Sequence, residues 1–171
     1  MNRREFLKKS LEGIVIASVP LISSCSKNPV DSEFGRIIPW ESIDGVNLGD
    51  TPDTVNKKLG DPDSAGEWDG AYAGGLACMY EEGHYAGFAV LFIGHNTVIS
   101  LSIRKPYSGT TKESIGIGSS LKSLQDIYGV PNKITNNYES YYKNDRSFGI
   151  VYKDNYIDSM TINLTNYFER P

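Results

Sequence analysis

Cysteine is nearly absent. The chain of 171 residues carries two, Cys25 and Cys78, which excludes a disulfide framework and any Cys-rich metal site. Histidine is as scarce, with only His84 and His95, and neither stands at a metal-ligand spacing. No metal and no cofactor is therefore expected. Beyond the opening residues there is no basic cluster, and the formal net charge is −4; nucleic acid is not an expected partner. The apolar run at residues 13–22 is too short to stay in a bilayer as a spanning helix. Gly74-Gly75 lacks any phosphate-loop pattern. No catalytic constellation is visible, and an enzyme is not expected.

What the chain does have is a segment written twice. Val46-Asn47-Leu48-Gly49-Asp50-Thr51-Pro52 runs through Val55 and Leu59 to Gly60-Asp61-Pro62. Ile115-Gly116-Ile117-Gly118-Ser119-Ser120-Leu121 runs through Leu124 and Tyr128 to Gly129-Val130-Pro131. The offset is about 69 residues, and internal repeats of this kind set the architecture. Thr51 and Ser120 stand where an N-cap belongs, able to accept a free amide of the first turn. Pro52 fits the first helical position, where a missing N–H costs nothing. Val55 and Leu59, like Leu124 and Tyr128, lie four apart and make one apolar stripe. Gly60 and Gly129 suit the left-handed stop, and Pro62 and Pro131 prevent resumption. A helix of about two turns is marginal alone, so each must pack on the strands that follow.

Those strands show in period-two patterns and turn residues. In the first copy they are expected at 76–80, 85–93 and 98–103, with a turn at Glu81-Glu82-Gly83-His84 and a hairpin at Gly94-His95-Asn96-Thr97. The unbroken run Phe88-Ala89-Val90-Leu91-Phe92-Ile93 predicts a strand covered on both faces or placed centrally. Along 98–103, Ile99, Leu101 and Ile103 face one way, Ser100 and Ser102 the other. In the second copy, 138–142, 148–152 and 157–164 correspond. There the offset is only about 59, so the first copy holds about ten extra residues, assigned to a Gly-, Asp- and Ala-rich loop at 63–75. The expected fold is α+β: two tandem αβββ repeats, short helices packed on antiparallel sheet that joins across the repeat boundary.

The first residues read as an address. Arg3 and Arg4, followed by Phe6-Leu7-Lys8, resemble a twin-arginine export signal. Leu21-Ile22-Ser23-Ser24-Cys25 resembles a bacterial lipobox, whose cysteine is acylated and becomes the new N-terminus. Expected boundaries are 1–24 for the signal peptide, 25–36 for a lipidated tether, 37–107 for repeat one and 108–171 for repeat two. Loss of the leader removes Arg3, Arg4, Lys8 and Lys9 together with Glu5 and Glu12, leaving a more acidic remainder. Lipidation at Cys25 would hold the chain on a membrane without spanning it, each buried methylene contributing about 0.8 kcal/mol. Ser26 after the cysteine favours the outer membrane in organisms that sort by that residue. Cys78 would then have no intrachain partner, and its apolar context reads as a small buried hydrophobe.

Candidate contact residues are aromatic. Of eleven tyrosines, Tyr138, Tyr141, Tyr142, Tyr152 and Tyr156 cluster in repeat two. Tyr138, Tyr141 and Tyr142, with Trp68 from the extra segment, are the candidate partner-binding residues, since aromatics dominate interface energetics. Alternation puts Tyr141 and Tyr142 on opposite faces; cross-strand packing is the competing role. Trp40 reads as a plug on the core. Asp61, Asp63, Glu67 and Asp69 form an acidic string without EF-hand spacing, which reads as a solvated face.

The repeated unit, with Leu48-Gly49-Asp50-Thr51 and Leu59-Gly60-Asp61-Pro62, resembles the small outer-membrane lipoproteins of the SmpA/OmlA type. It is also similar to the secreted β-lactamase inhibitor proteins, in which two such units stand in tandem. The likeness covers about residues 43–164. It implies a helix-on-sheet fold and a protein partner, in the first family the outer-membrane β-barrel assembly machinery. Inhibitor-type disulfides cannot form with Cys78 alone. Only Gly49, Thr51, Gly60 and Pro62 and their counterparts Gly118, Ser120, Gly129 and Pro131 transfer, and their roles are structural. The leading expectation is a lipid-anchored cell-envelope protein that binds another protein without catalysis. The alternative is an envelope small-ligand binder or enzyme using the 63–75 loop.

Overall fold

Thr51 and Ser120 cap their helices as a hydroxyl at that place should. In the computed structural model, which describes residues 35–69 and 74–168, Thr51 accepts the Thr54 N–H at 3.4 Å and Ser120 accepts the Ser123 N–H at 3.1 Å. The expected signal peptide, Arg3, Arg4, Cys25 and nearly all of the tether lie outside the described residues. Helix α1 spans Pro52–Leu59 and α2 spans Leu121–Tyr128, eight residues each. Both end on glycine, but not in the left-handed helical region that the sequence suggests. Gly60 has φ 82° and ψ −171°, and Gly129 has φ 80° and ψ −156°, a region essentially reserved for glycine. Each glycine N–H still bonds back one turn, to the carbonyls of Asn56 and Gln125.

The segment ahead of each cap docks on a strand in the same way. Gly49 N–H donates to the Val98 carbonyl at 2.8 Å, and Val98 N–H returns a bond to Asp50 at 2.9 Å. Gly118 N–H donates to Ile157 at 2.8 Å, and Ile157 N–H returns one to Ser119 at 2.9 Å.

The strands of the main sheet are β4 (Ser64–Asp69), β5 (Gly74–Tyr80), β6 (Phe88–Ile93), β7 (Thr97–Arg104), β8 (Lys133–Thr135), β9 (Tyr138–Lys143), β10 (Arg146–Lys153) and β11 (Tyr156–Leu164). They form one eight-stranded sheet in the order β4-β5-β6-β7-β11-β10-β9-β8, with every neighbouring pair antiparallel. Each helix is thus followed by four strands, not three. The two strands that the sequence hides, β4 and β8, are the sheet's edges. Almost every residue in them is exposed, so they carry no period-two apolar signal. The described residues of 63–75 are consequently mostly strand and not loop: 64–69 form β4 and 74–75 begin β5. The extra length of the first half is a longer hairpin, six paired positions against three between β8 and β9.

Ahead of α1, a small sheet of β1 (Ile37–Ile38), β2 (Ser42–Ile43) and β3 (Val46–Asn47) folds as a meander. Ile37, Ile43 and Val46 join the core with Val55 and Leu59 of α1, Leu124 of α2 and one face of the main sheet. That face supplies Phe88, Val90, Phe92, Leu101, Phe148, Ile150, Met160 and Ile162, none more than 1% exposed. Burying each such side chain contributes about 1.5–3 kcal/mol. Trp40 is the plug that the sequence suggests. Its ring meets Tyr128 at 5.9 Å and Phe148 at 5.8 Å, and its indole N–H donates to the Tyr141 carbonyl at 2.8 Å. One register differs from expectation. Leu91 pairs with Ser100 and Phe92 with Val98, so Ile99 is the extra residue of a bulge, and Val98 takes the core place beside Leu101. After β11 the short helix α3 spans Thr165–Phe168.

Candidate functional site

Side chains alternate across a strand, so a core on one sheet face leaves the other face to be accounted for. The helices and the meander pack on the first face. On the second, β5 and β6 present Ala77, Met79, Ala89, Leu91 and Ile93, all half-exposed. Of the two readings of the 88–93 run, central placement holds: β6 lies between β5 and β7, with Phe88, Val90 and Phe92 buried and the alternate residues half-exposed. The centre of the open face is hydroxylic. Ser100 and Ser102 of β7 stand opposite Asn163 and Thr161 of β11, and the Ser102 and Thr161 hydroxyls are 3.1 Å apart. Beyond them, Ser147 accepts the Asn163 amide at 3.4 Å, and Ser140 donates to the Tyr138 hydroxyl at 2.7 Å.

Three of the four aromatic candidates lie on this face. Trp68, opposite Gly75, donates its indole N–H to the Phe92 carbonyl at 3.2 Å. A Cβ at Gly75 would strike that carbonyl and approach the indole nitrogen to 2.7 Å. Tyr138 lies over Gly149 in the same fashion, its ring about 3.0 Å from where a Cβ would stand. Each aromatic covers a glycine floor, a device that stabilises glycine within a sheet. Tyr142 is half-exposed, and its backbone N–H bonds Asn132 Oδ1 at 2.7 Å.

Tyr141 is the correction. It is 3% exposed, edge-on to Tyr128 at 6.3 Å and beside Phe148 at 6.5 Å. Its hydroxyl donates to Glu139 at 3.0 Å, and burial followed by that carboxylate raises its pKa. Alternation separates Tyr141 from Tyr142, but the core side belongs to Tyr141 because Phe148 is its cross-strand partner. Sequence reasoning also missed Glu139, 2% exposed, which accepts the Gln125 amide at 2.7 Å as well as Tyr141. These bonds tie α2 to β9, and their role is structural.

The remaining candidates are engaged locally. His95 at the β6–β7 turn lies 3.2 Å from Glu67. Asp63 accepts the backbone N–H groups of Glu81 and Glu82 at 2.6 and 3.0 Å. Glu67 and Asp63 of the acidic string thus have separate partners. Burial pushes the Cys78 thiol up, the setting of an inert small hydrophobe. Among the described residues no group of three or more His, Cys, Asp or Glu could hold a metal, and no helix is long and apolar enough to cross a membrane.

Depressions among the described residues include the following two. One, of about 330 Å³, lies on the open face where its apolar and hydroxylic parts meet. Met79, Ala89, Ser102, Ser159 and Thr161 line it, with Glu81, Arg104 and Lys105 beside them. The other, of about 420 Å³, is formed around Val151, Tyr152 and Asp158. None of the described residues of 63–75 is among those lining these two.

No family model matches the chain, and no curated protein matches it. Among solved structures, the chain is similar to a DUF4309 family protein (YjgB) from Bacillus subtilis. The two are 17% identical, with a TM-score of 0.51 over 70% of this chain and 82% of that one. A putative beta-lactamase inhibitor protein from Streptococcus mutans aligns over 70% of this chain and 84% of that one, at 11% identity and a TM-score of 0.31. The first likeness is one of fold.

Proposed function

We propose that this chain is a non-catalytic, lipid-anchored protein of the bacterial cell envelope, built to bind another protein through its open sheet face. One observation carries the reading. Trp68, Met79, Ala89, Leu91 and Ile93, each half-exposed, form an apolar strip on the face opposite the core, and apolar surface grouped on one sheet face suits association. Beside it the half-exposed Tyr138, Tyr142, Ser102, Thr161 and Asn163 give the face the mixed character of a protein interface, with Ser100, Ser140 and Ser147 buried between them. The anchor rests on the lipobox and Cys25, and an outer-membrane location on Ser26. The unit boundaries 37–107 and 108–171 rest on the twice-written cassette, whose caps, stops and docking bonds agree pair by pair. These features favour a duplicated unit, now counted as a helix and four strands. They keep an SmpA/OmlA-type or inhibitor-type origin as part of the proposal.

The face is tested by photo-crosslinking in intact cells. A photoreactive residue at Leu91 should yield a discrete protein adduct, whereas one at Lys122, exposed on α2, should not. Equal adducts from both positions, or none from Leu91, would remove the reading. The anchor is tested separately. A palmitate analogue should label the wild type and not Cys25→Ala, and equal labelling would remove the anchor.

A further inference from the structure

We infer that the outer edge of β4 takes up an extended segment of the partner protein as an added strand, and that an aromatic side chain of that segment lies over Gly66. The inference rests on the protein-binding reading above and names how the partner is held.

The main sheet has two edges, β4 and β8, and each turns a row of main-chain N–H and C=O groups away from the sheet. The two are guarded unequally. β8 has three residues, opens on Lys133 just after Pro131, and is followed by Asn136, whose φ of 46° turns the chain. Shortness, lysine and proline are common guards of a sheet edge. β4 has six residues and no lysine, arginine or proline, and it pairs with β5 through all six in one register. At about 3.4 Å per residue, that is a regular template about 20 Å long. Little stands in the way along it. Ser64, Ala65 and Gly66 are small and exposed. Trp68 is drawn inward across β5 to the Phe92 carbonyl, and Glu67 lies 3.2 Å from His95 of the β6–β7 turn. Free main-chain groups of this kind recognise another extended chain.

Gly66 supplies the side-chain preference. Two glycines of the sheet, Gly75 and Gly149, lie under the rings of Trp68 and Tyr138, each ring coming from a neighbouring strand. Gly66 shares the open face with Trp68 by alternation, yet it is exposed, and a Cβ there would meet nothing within 4 Å. Its partner on β5 is Ala77, too small to cover it, and on its other side the sheet ends. A strand added to β4 would bring the missing ring, the pairing that rescues a glycine at an edge. It would also widen the apolar strip that begins at Trp68 and Met79.

A second copy of this chain is the poorer occupant. The antiparallel register that sets its Trp68 opposite Gly66 also sets the two Glu67 side chains opposite each other, and like charges there are destabilising. It would also take Trp68 from its place over Gly75.

The test is a random linear peptide library panned on the full chain, with Gly66→Val measured in parallel. The space over Gly66 is open and its backbone is outside the left-handed region, so Gly66→Val should melt no lower than the wild type. Retained peptides should carry Phe, Tyr or Trp. Their affinity should fall by about tenfold or more in Gly66→Val, and by less in Gly66→Ala. Methylating the amides of a retained peptide one at a time should abolish binding at alternate positions only, because every second N–H of an added strand faces β4. That scan uses the unaltered chain, so it stands whatever the variants do to folding. Retained peptides without an aromatic, affinity indifferent to Gly66→Val, methylation without alternation, or a library from which nothing is retained would each overturn the inference. The two readings fail differently. In cells, photoreactive residues at Leu91 and at Ala65 should capture the same protein. Capture at Leu91 alone would leave the face reading standing and sink this one; capture at Ala65 alone would keep the edge and sink the face. An adduct between two copies of this chain would overturn the occupant inferred here.

Discussion

Gly49 and Gly118 reach the strands beneath them by bonds of the same length, and Thr51 and Ser120 cap the same turn of their helices. Across the sheet the correspondence ends. The open face of β5 and β6 carries Ala77, Met79, Ala89, Leu91 and Ile93, whereas that of β9 and β10 carries Tyr138, Ser140, Tyr142, Ser147, Gly149 and Val151. The buried side of each half must fill one shared core, where a change of one methylene is felt. The other side is packed less evenly: the first half's residues there are half-exposed, whereas Ser140, Ser147 and Gly149 of the second half are buried. Where two halves agree on the buried face and differ on the open one, the difference points to what the open face contacts.

The comparison can be broken most forcefully through the core. Phe92→Ala in the first half and Phe148→Ala in the second should each cost about 3–5 kcal/mol. Both should lower the urea midpoint of one cooperative transition, because β7 and β11 join the halves in one sheet. Two separated transitions, read by circular dichroism and tryptophan fluorescence, would show halves that fold independently.

The glycine floors should separate the halves. A Cβ at Gly75 meets the Phe92 backbone, which cannot step aside, so Gly75→Ala should cost about 1–3 kcal/mol or more. At Gly149 the obstacle is the far end of the Tyr138 side chain. Gly149→Ala should cost less and displace that ring. Equal losses in thermal melts would remove the distinction.

The caps should reunite them. Thr51→Ala and Ser120→Ala should each cost about 1 kcal/mol, and a large difference would mean that the two cassettes do not do the same work. A smaller effect at neutral pH becomes visible in alkali. Burial, followed by hydrogen-bond and charge effects including those of Glu113, pushes Tyr128 up to about 12. Burial likewise raises Tyr80, Tyr107 and Tyr141. Each is held protonated by folding, so its contribution is whole below pH about 10, the ordinary tyrosine value, and is lost as pH rises through the higher folded value. Denaturation midpoints should fall above pH about 10 and less steeply in Tyr128→Phe. A flat profile would contradict the buried environment.

Much of the covered half of the molecule was legible because its signals are local. A cap hydroxyl, a glycine stop and a proline act within one turn, and α1 and α2 begin and end where those residues stand. The edges were not legible. Residues 64–67 of β4 and all of Lys133–Thr135 are exposed, so pairing with β5 and β9, rather than composition, makes these segments strands. The site was half legible. Alternation separates Tyr141 from Tyr142, but only the cross-strand neighbour Phe148 decides which one is buried. The run 88–93 reads as covered on both faces or central; the strand is central, and its alternation leaves Leu91 and Ile93 half-exposed on the second face.

The central claim is that the open face, and not the helices, meets the partner. The most direct measurement compares envelope complexes captured on the wild type and on Leu91→Asp, a change at a half-exposed strand position that should cost about 1 kcal/mol, at a temperature where both remain folded. The account predicts a cooperative melt in both and loss of the captured protein. The same protein recovered in the same yield from both would contradict it.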